Sequence, residues 1–343
     1  MRNPRLIRYL CRRLAQSVLV VGGVVVLTFL IARVVPGDPA MAWVGAHATA
    51  AEIARARVML GLNRPLPYQI IHYFSGIFTG NWGISIHTRR PVLSDLLQVV
   101  PVSFELLVAA ILIGGVVGIP VGLVSVRFRG RAADYAVRIF SVISVSMPIF
   151  WLAMMLQLIF FRILNILPVA GDYSASLAYS HPPPSITGVP VIDAVITGNW
   201  VLLGSSLDHL VLPALAIAAW PAGILARMVR ATVLESSEEV HAQMVRALGF
   251  SERVLLTRFA LRLAWGPIFQ VLALIFAYSL VNTFLVEAVF DWPGLGSYAA
   301  NSITALDTPS IIGVTLFIAI VYVVLNLVVD VLQALVDPRI ELN

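Results

Sequence analysis

The chain has 343 residues and no lysine; all 23 basic residues are arginine. Its single cysteine is Cys11. Each absence removes a class of chemistry. A phosphate-binding P-loop needs a lysine to reach the β- and γ-phosphates, so this polypeptide carries no Walker-type ATPase site of its own. One cysteine forms no internal disulfide, which excludes a disulfide scaffold and leaves the redox compartment unread. Charge is scarce too, at 12% of residues against about 25% in a soluble domain. The patterns H-E-x-x-H and G-x-S-x-G are missing. His47, His72, His87, His181, His209 and His241 fall in loops or at the ends of apolar runs, which argues against a zinc or haem site inside a bundle. No apolar run carries an acid or base at its centre, where a proton-coupled pump would need one.

What the chain has in abundance is apolar sequence, 59% of its residues. Six runs approach or exceed the 20 or so residues that cross a bilayer: 14–35, 106–126, 139–161, 207–228, 265–286 and 311–336. The fourth is the weakest, with Pro213, Pro221 and Gly223 inside it. Lipid cannot satisfy open backbone groups, so each run is expected to be a helix. The expectation is an all-α integral membrane protein. The first run is too long for a signal-peptide core, and Ile31-Ala32-Arg33 offers no small-x-small cleavage pattern, so it reads as a retained span.

Arginine placement sets the orientation. Arg2, Arg5, Arg8, Arg12 and Arg13 precede the first run; Arg127, Arg129, Arg131 and Arg138 lie between the second and third; Arg227, Arg230, Arg246, Arg253, Arg258 and Arg262 lie around the fourth-to-fifth loop. These segments share one side, the cytoplasm by the positive-inside rule, which puts both termini inside. The net charge of +5 is thereby a membrane feature, with no nucleic-acid partner implied. The chain divides into 1–102, a first span with an extracytoplasmic segment, and 103–337, five spans with a cytoplasmic loop at 235–264.

The outer segment after the first run predicts a helix from Ala50 to Leu60, with Thr49 and Glu52 at capping-box spacing. A second predicted helix, Tyr68 to Phe78, has Ile70, Ile71, Phe74, Ile77 and Phe78 at helical spacing. It fits either an interfacial amphipathic helix or a packed helix of a small outer subdomain. Residues 165–206, rich in Pro, Gly and Ser, read as an ordered loop or short elements. Asn326 and Asp330 share a face of the last run, where interhelical hydrogen bonding is the simpler reading and a substrate contact the sharper one. Glu105 and Glu287 sit at run ends and read as interfacial anchors.

The most informative segment begins at Glu235: ESSEEVHAQMVRALGFSERVLLTRFALRLAWGP. Ser236 and Glu239 have capping-box spacing. The helix they would start runs to about Leu248, and Gly249 permits its termination. Ser251 can cap a second helix, with Glu252 in the favourable first turn. Val254, Leu255, Phe259 and Leu263 form its apolar side. The apolar face packs on the protein's own helices, on lipid headgroups or on a soluble partner.

Residues 245–253, VRALGFSER, resemble the EAA loop of ABC importer permeases, and Pro267 stands where that loop's closing proline stands. The likeness extends over nearly the whole chain and is strongest to the dipeptide/oligopeptide branch. Its motifs occur in order: Pro36-Gly37-Asp38-Pro39, Leu60 to Leu66 (LGLNRPL), Gly80 to Ser85 (GNWGIS) with Pro91-Val92, Ser146 to Trp151 (SMPIFW), Phe290 to Gly296 (FDWPGLG), Asn326 to Asp330 and Asp337 to Ile340. Gln243-Met244-Val245 replaces the acidic-Ala-Ala core of the general motif, Leu248 stands at a usual lysine and Asn81 at a usual aspartate.

The resemblance implies a six-helix type I permease bundle with an extracytoplasmic subdomain after the first helix, in the inner membrane of a prokaryote. It implies a second homologous permease, two ABC ATPase subunits, an extracytoplasmic substrate-binding protein and the surrounding membrane lipid as partners. The chain itself would hold no cofactor, with ATP and Mg on the ATPase subunits, and would be no enzyme. Glu239, Arg246, Ala247, Gly249, Arg253, Arg258 and Pro267 are its implied docking residues; no metal or catalytic residue is implied. Pro183 to Gly188 followed by Ile192-Asp193 resembles an outer-loop pattern of dipeptide permeases and favours peptide cargo. Nickel, glutathione and oligosaccharides are the alternatives within the family, and a self-sufficient channel or carrier is the alternative outside it.

Overall fold

The computed structural model describes residues 4–34, 38–45, 47–180 and 186–336. Arg2, Pro36-Gly37, Ala46, His181, Pro182-Pro183-Pro184 and the closing 337–340 motif lie outside them, as does the side chain of Asp330. The described elements are helical: α1 (Pro4–Val34), α2 (Pro39–Val44), α3 (Ala50–Met59), α4 (Leu66–Phe78), α5 (Val92–Arg127), α6 (Ala132–Ser146) and α7 (Ile149–Leu156). A π-helical turn, Gln157–Ile163, prolongs α7. There follow α8 (Leu177–Ser180), α9 (Pro190–Thr197), α10 (Trp200–Glu238), α11 (Val240–Ala247), α12 (Glu252–Val254), a second π-helical turn (Leu255–Ala260), α13 (Leu261–Phe290), α14 (Leu295–Thr304) and α15 (Thr308–Val336).

Among the described residues, Val92–Arg127, Trp200–Glu238, Glu252–Phe276 and Thr308–Val328 are each long and apolar enough to cross a bilayer. The pair α6 and α7 makes a fifth span if taken as one, and Ala15–Ile31 is a shorter apolar stretch of α1. The protein is an all-α membrane protein. The third apolar run, expected as one helix over 139–161, is instead broken and bent by 104°. The cause is Pro148, which caps α7 and holds Met147 in an extended conformation (φ −75°, ψ 130°). The fourth run, the weakest by sequence, is the longest helix and passes through both prolines. In its most apolar stretch 67% of residues are buried inside protein, against 22–28% for the other three. Packing, not lipid, absorbs its weaker hydropathy.

The chain forms two compact units. The first is built mainly from Met1–Val102 and Pro293–Val328. Here Val25 and Phe29 of α1 and Ile312 and Leu316 of α15 bury against Ile70, Phe74 and Ile77 of α4. This is the packed-subdomain alternative for α4; Ile71 and Phe78 remain exposed. The capping box of α3 is present in full, with both Thr49 and Glu52 contributing. Asp38 caps α2 by accepting from the Ala40 N–H at 3.0 Å and pairs with Arg57 at 2.7 Å. A buried polar chain ties the 85–95 segment to α14 and α15. Asp307, fully buried, accepts from Ser85 Oγ (2.5 Å), the His87 N–H (3.2 Å), the Ser310 N–H (3.2 Å) and Ser310 Oγ (2.8 Å).

The second unit is mainly Ser103–Trp292. Gly114, Gly118 and Gly122 recur every fourth residue along α5 and meet α10 directly. A Cβ at these positions would lie 2.6 Å from Pro221 Cβ, 2.7 Å from the Ala222 carbonyl oxygen and 2.7 Å from the Ala226 carbonyl oxygen, respectively. This is the small-xxx-small contact that lets helix backbones approach in membranes. Leu225, Val229 and Val233 of α10 continue it with Leu256, Ala260, Ala264 and Ile268 on the segment leading into and along α13. Asp193 closes the turn before α9, accepting from Thr187 Oγ1 at 2.6 Å and from the N–H groups of Ile186, Thr187 and Gly188. Glu287, expected as an interfacial anchor, is fully buried and accepts from Ser103 Oγ at 2.5 Å. Asn326 donates to the Tyr322 carbonyl one turn back in the same helix at 2.8 Å, a bond within α15 and neither the interhelical bond nor the substrate contact that the sequence suggests.

Candidate functional site

The loop between the fourth and fifth runs folds as a tip between α10 and α13. The expected capping box at Ser236 and Glu239 is absent, because α10 runs on to Glu238. Ser236 and Ser237 are buried within α10, and Ser237 Oγ donates to the Leu234 carbonyl at 2.7 Å. Burial of Val233 and its neighbours carries α10 past the polar signal. Glu239, extended at φ −72°, ψ 165°, is the joint; it caps α11 without a side-chain hydrogen bond. Its carboxylate lies 3.1 Å from His241 Nδ1.

α11 ends as expected at Gly249, whose φ is +81°. The Gly249 N–H donates to the Arg246 carbonyl at 2.9 Å and the Phe250 N–H to the Val245 carbonyl at 3.3 Å. This pair of bonds is the Schellman arrangement, which requires the left-handed conformation that glycine adopts without strain. Ser251 then caps α12, accepting weakly from the Val254 N–H at 3.5 Å.

Arg246 fastens the two arms. Its Nε donates to Glu252 Oε1 at 2.6 Å, Nη2 to Glu252 Oε2 at 3.3 Å and Nη1 to the Ser237 carbonyl at 3.1 Å. The bidentate Glu252 pairing raises the pKa of Arg246 beyond its already high value. A small core of Ala242, Val245 and Leu255 lies between the arms, and Phe250 and Phe259 rings meet at 5.8 Å. Leu255 is buried as the sequence suggests, but Phe259 and Leu263 are exposed, and Leu256 and Ala260 take the buried places. The π-helical turn over Leu255–Ala260 adds a residue per turn and rotates the apolar side.

The outward face of α11 is apolar. Val240, Met244 and Leu248 are spaced four apart and are 81%, 68% and 69% exposed; i, i+4 spacing places them in one stripe. Ala247, Arg253, Arg258 and Arg262 are also exposed. The structure thus brings Glu239, Arg246 and Gly249 into one folded tip. Arg253 and Arg258 lie on the second arm, and Pro267 lies further along, inside α13. Between the tip and the C-terminal end of α5 is a cavity of about 430 Å³, whose lining includes Arg127, Arg129, Gln243 and Glu252.

The sequence reading missed one cluster. Asp134 of α6 is fully buried beside Arg230 of α10, at 2.9 Å, and Arg138, at 2.8 Å. In the sequence Arg230 and Arg138 serve only to orient the chain, and Asp134 follows Arg129-Gly130-Arg131 with no spacing signature to a partner 96 positions away. The i, i+4 spacing of Asp134 and Arg138 was the one available signal.

Comparison with known proteins defines the class. Residues 114–342 match the family described as binding-protein-dependent transport system inner membrane component, and residues 6–106 match the N-terminal region of such membrane components. The chain belongs to this family: it is an inner-membrane permease component of a binding-protein-dependent, ABC-type transport system. Among similar proteins, the probable D,D-dipeptide transport system permease protein DdpB of Escherichia coli K12 is 40% identical over 323 residues, covering 94% of both chains. The dipeptide transport system permease protein DppB of Alkalihalophilus pseudofirmus is 34% identical over 98% of this chain and 100% of its own. DppB of Escherichia coli K12 is 32% identical over 98% of this chain and 99% of its own.

Proposed function

We propose that this chain is one of two permease subunits of an importer that takes up di- and oligopeptides, and that the α11–Gly249–α12 tip docks it to an ATPase subunit. Six spans put both termini in the cytoplasm, on the same side as the tip. A second, homologous permease completes the pathway, two ATPase subunits bind ATP and Mg, and an extracytoplasmic binding protein delivers cargo. The observation that carries the docking reading is the exposed stripe Val240, Met244 and Leu248 on the arginine-rich side. An apolar stripe left exposed on a loop outside the apolar runs marks an interaction surface. The absence of lysine supports hydrolysis on another chain, and the dipeptide names of the relatives support peptide cargo.

Arg246, expected among the partner contacts, is assigned a different part: held by Glu252 and Ser237, it keeps the tip in shape. Glu239 is the joint with α10, and Ala247, Arg253 and Arg258 flank the stripe as contact residues.

Purified alone, the chain is expected to hydrolyse no ATP. Co-expressed with the system's ATPases it is expected to retain them, and uptake of a labelled dipeptide is expected to require ATP. Uptake by the chain alone, without ATP, would establish the carrier alternative instead. Orientation is read separately. In a Cys11→Ser background, Gly188→Cys is expected to react with an impermeant thiol reagent from outside and Met244→Cys only after permeabilisation.

A further inference from the structure

The buried Asp134 cluster stands outside the docking tip, yet its partners lead straight to it. Asp134 Oδ1 accepts from Ser125 Oγ at 2.5 Å and Arg230 Nε at 2.9 Å. Oδ2 accepts from the Gly130 N–H at 3.1 Å, Arg138 Nη2 at 2.8 Å and Arg230 Nη2 at 3.3 Å. These donors come from the end of α5, the α5–α6 turn, α6 itself and α10, so one carboxylate joins three helices.

Two further sets of contacts continue the tie in both directions. Away from the tip, the Gly114, Gly118 and Gly122 contacts hold α5 to α10, and Gly223 of α10 lies against α6, where a Cβ would meet Ser144 Cβ at 2.9 Å. Toward the tip, Arg230 lies eight residues before Glu238, about two helical turns. Glu238 pairs with Arg129 of the α5–α6 turn, and Arg246 of α11 donates to the Ser237 carbonyl. A salt bridge that served stability alone would be poorly chosen, because well-packed apolar residues commonly do as well. A fixed register between helices is the better-attested use of such a pair.

We propose that Asp134 is a positioning residue that locks the α5–α6 turn to α10, so that the docking tip and the inner ends of α5, α6 and α10 move as one lever. The proposal rests on the docking reading above for the source of the movement. The lever itself is a property of this chain.

The test uses the assembled transporter in lipid nanodiscs, with spin labels at Arg131→Cys in the α5–α6 turn and Gln243→Cys on α11, exposed but off the docking stripe, in the Cys11→Ser background. The expected distance distribution is single, narrow and unmoved by MgATP. Asp134→Asn is expected to broaden it, and so is Asp134→Asn with Arg230→Gln, which removes both charges of the α6–α10 pair and leaves only the exposed Arg138 without its carboxylate. Both variants should keep their ATPase subunits and basal hydrolysis while uptake of labelled alanyl-alanine falls about tenfold, a coupling loss of ordinary size. A purely structural role would lower the amount of assembled transporter and leave uptake per transporter unchanged. A wild-type distribution and wild-type uptake in the double variant would overturn the proposal. If instead the unmutated chain retains no ATPase, the docking reading fails, while the distances measured without ATP still decide the lever.

Discussion

The tip around Gly249 and the buried polar chain around Asp307 are both made of loop-like sequence, and they are finished to different degrees. Around Asp307 every carboxylate oxygen is matched: Ser85, His87 and Ser310 supply four donors to a fully buried group. Asp95 nearby is likewise buried, bound by Thr88, Arg90 and Tyr298. The tip has the reverse balance. Its core is three side chains, one guanidinium holds its arms, and an apolar stripe of its first helix is left exposed. A region that satisfies itself positions other parts; an uncovered apolar stripe marks an interaction surface, and the proposed occupant of this one is an ATPase subunit.

That contrast can be broken by substitution. The largest effect on transport is expected at Gly249, where φ is +81° although an added Cβ would touch nothing. The cost is conformational strain alone, about 1–2 kcal/mol or more for a β-branched residue. Gly249→Val should insert normally and pair with the second permease, yet lose ATPase on co-purification and lose transport. Full ATPase retention would remove the tip from the account. Gly249→Ala should show a milder form of the same defect.

Asp307→Ala acts on stability and not on docking. It strands buried donors, each worth about 1–3 kcal/mol, so the midpoint of thermal unfolding in detergent should fall clearly. Asp307→Asn, which keeps an acceptor, should fall less. ATPase retention per folded molecule should stay unchanged in both, which separates this region from the tip. Leu248→Ser should do the opposite: no change in unfolding midpoint, and weaker ATPase binding by about 1.5–3 kcal/mol, roughly ten- to a hundredfold. Equal affinity, measured by titration of the ATPase onto nanodiscs, would show that the stripe is bare surface.

The smallest effect concerns pH. The hydrogen bond from Arg57 holds the Asp38 carboxyl below its ordinary value. A depressed folded pKa stabilises above the unfolded value of about 3.9 and is lost as pH falls through the folded one. For so exposed a pair the gain is on the order of 0.2–1 kcal/mol. Amide exchange in α2, corrected for intrinsic rates, should therefore quicken on acidification below pH ~4, and Asp38→Asn should abolish that dependence. Exchange that quickens equally in the variant would assign the pH effect elsewhere.

The two regions also differ in how legible they were. Local signals survive folding: Thr49 and Glu52 make their capping box and Gly249 ends α11. Pro148 cuts a run that apolar length alone reads as one helix. Gly249 was readable because a turn needs its backbone, whatever surrounds it. Signals that compete with burial fail. Ser236 and Glu239 have the right spacing for a cap, but α10 continues through Ser236 because its apolar neighbours are packed. Partnerships over long sequence separations leave no local pattern at all. Asp134 with Arg230, Ser85 with Asp307 and Ser103 with Glu287 are ordinary polar residues until the helices are brought together. The exposed stripe fell between these cases: Val240, Met244 and Leu248 show helical spacing, but only the fold reveals which side they face.

If a separate ATPase subunit covers the tip, Met244 lies under it and reports the contact. In the Cys11→Ser background, Met244→Cys should react quickly with a thiol reagent in the isolated permease. In the assembled complex it should be strongly protected, while a control cysteine at Ile166, exposed and away from the tip, keeps its rate. Undiminished labelling of Met244→Cys in a complex that still holds its ATPase would contradict the account.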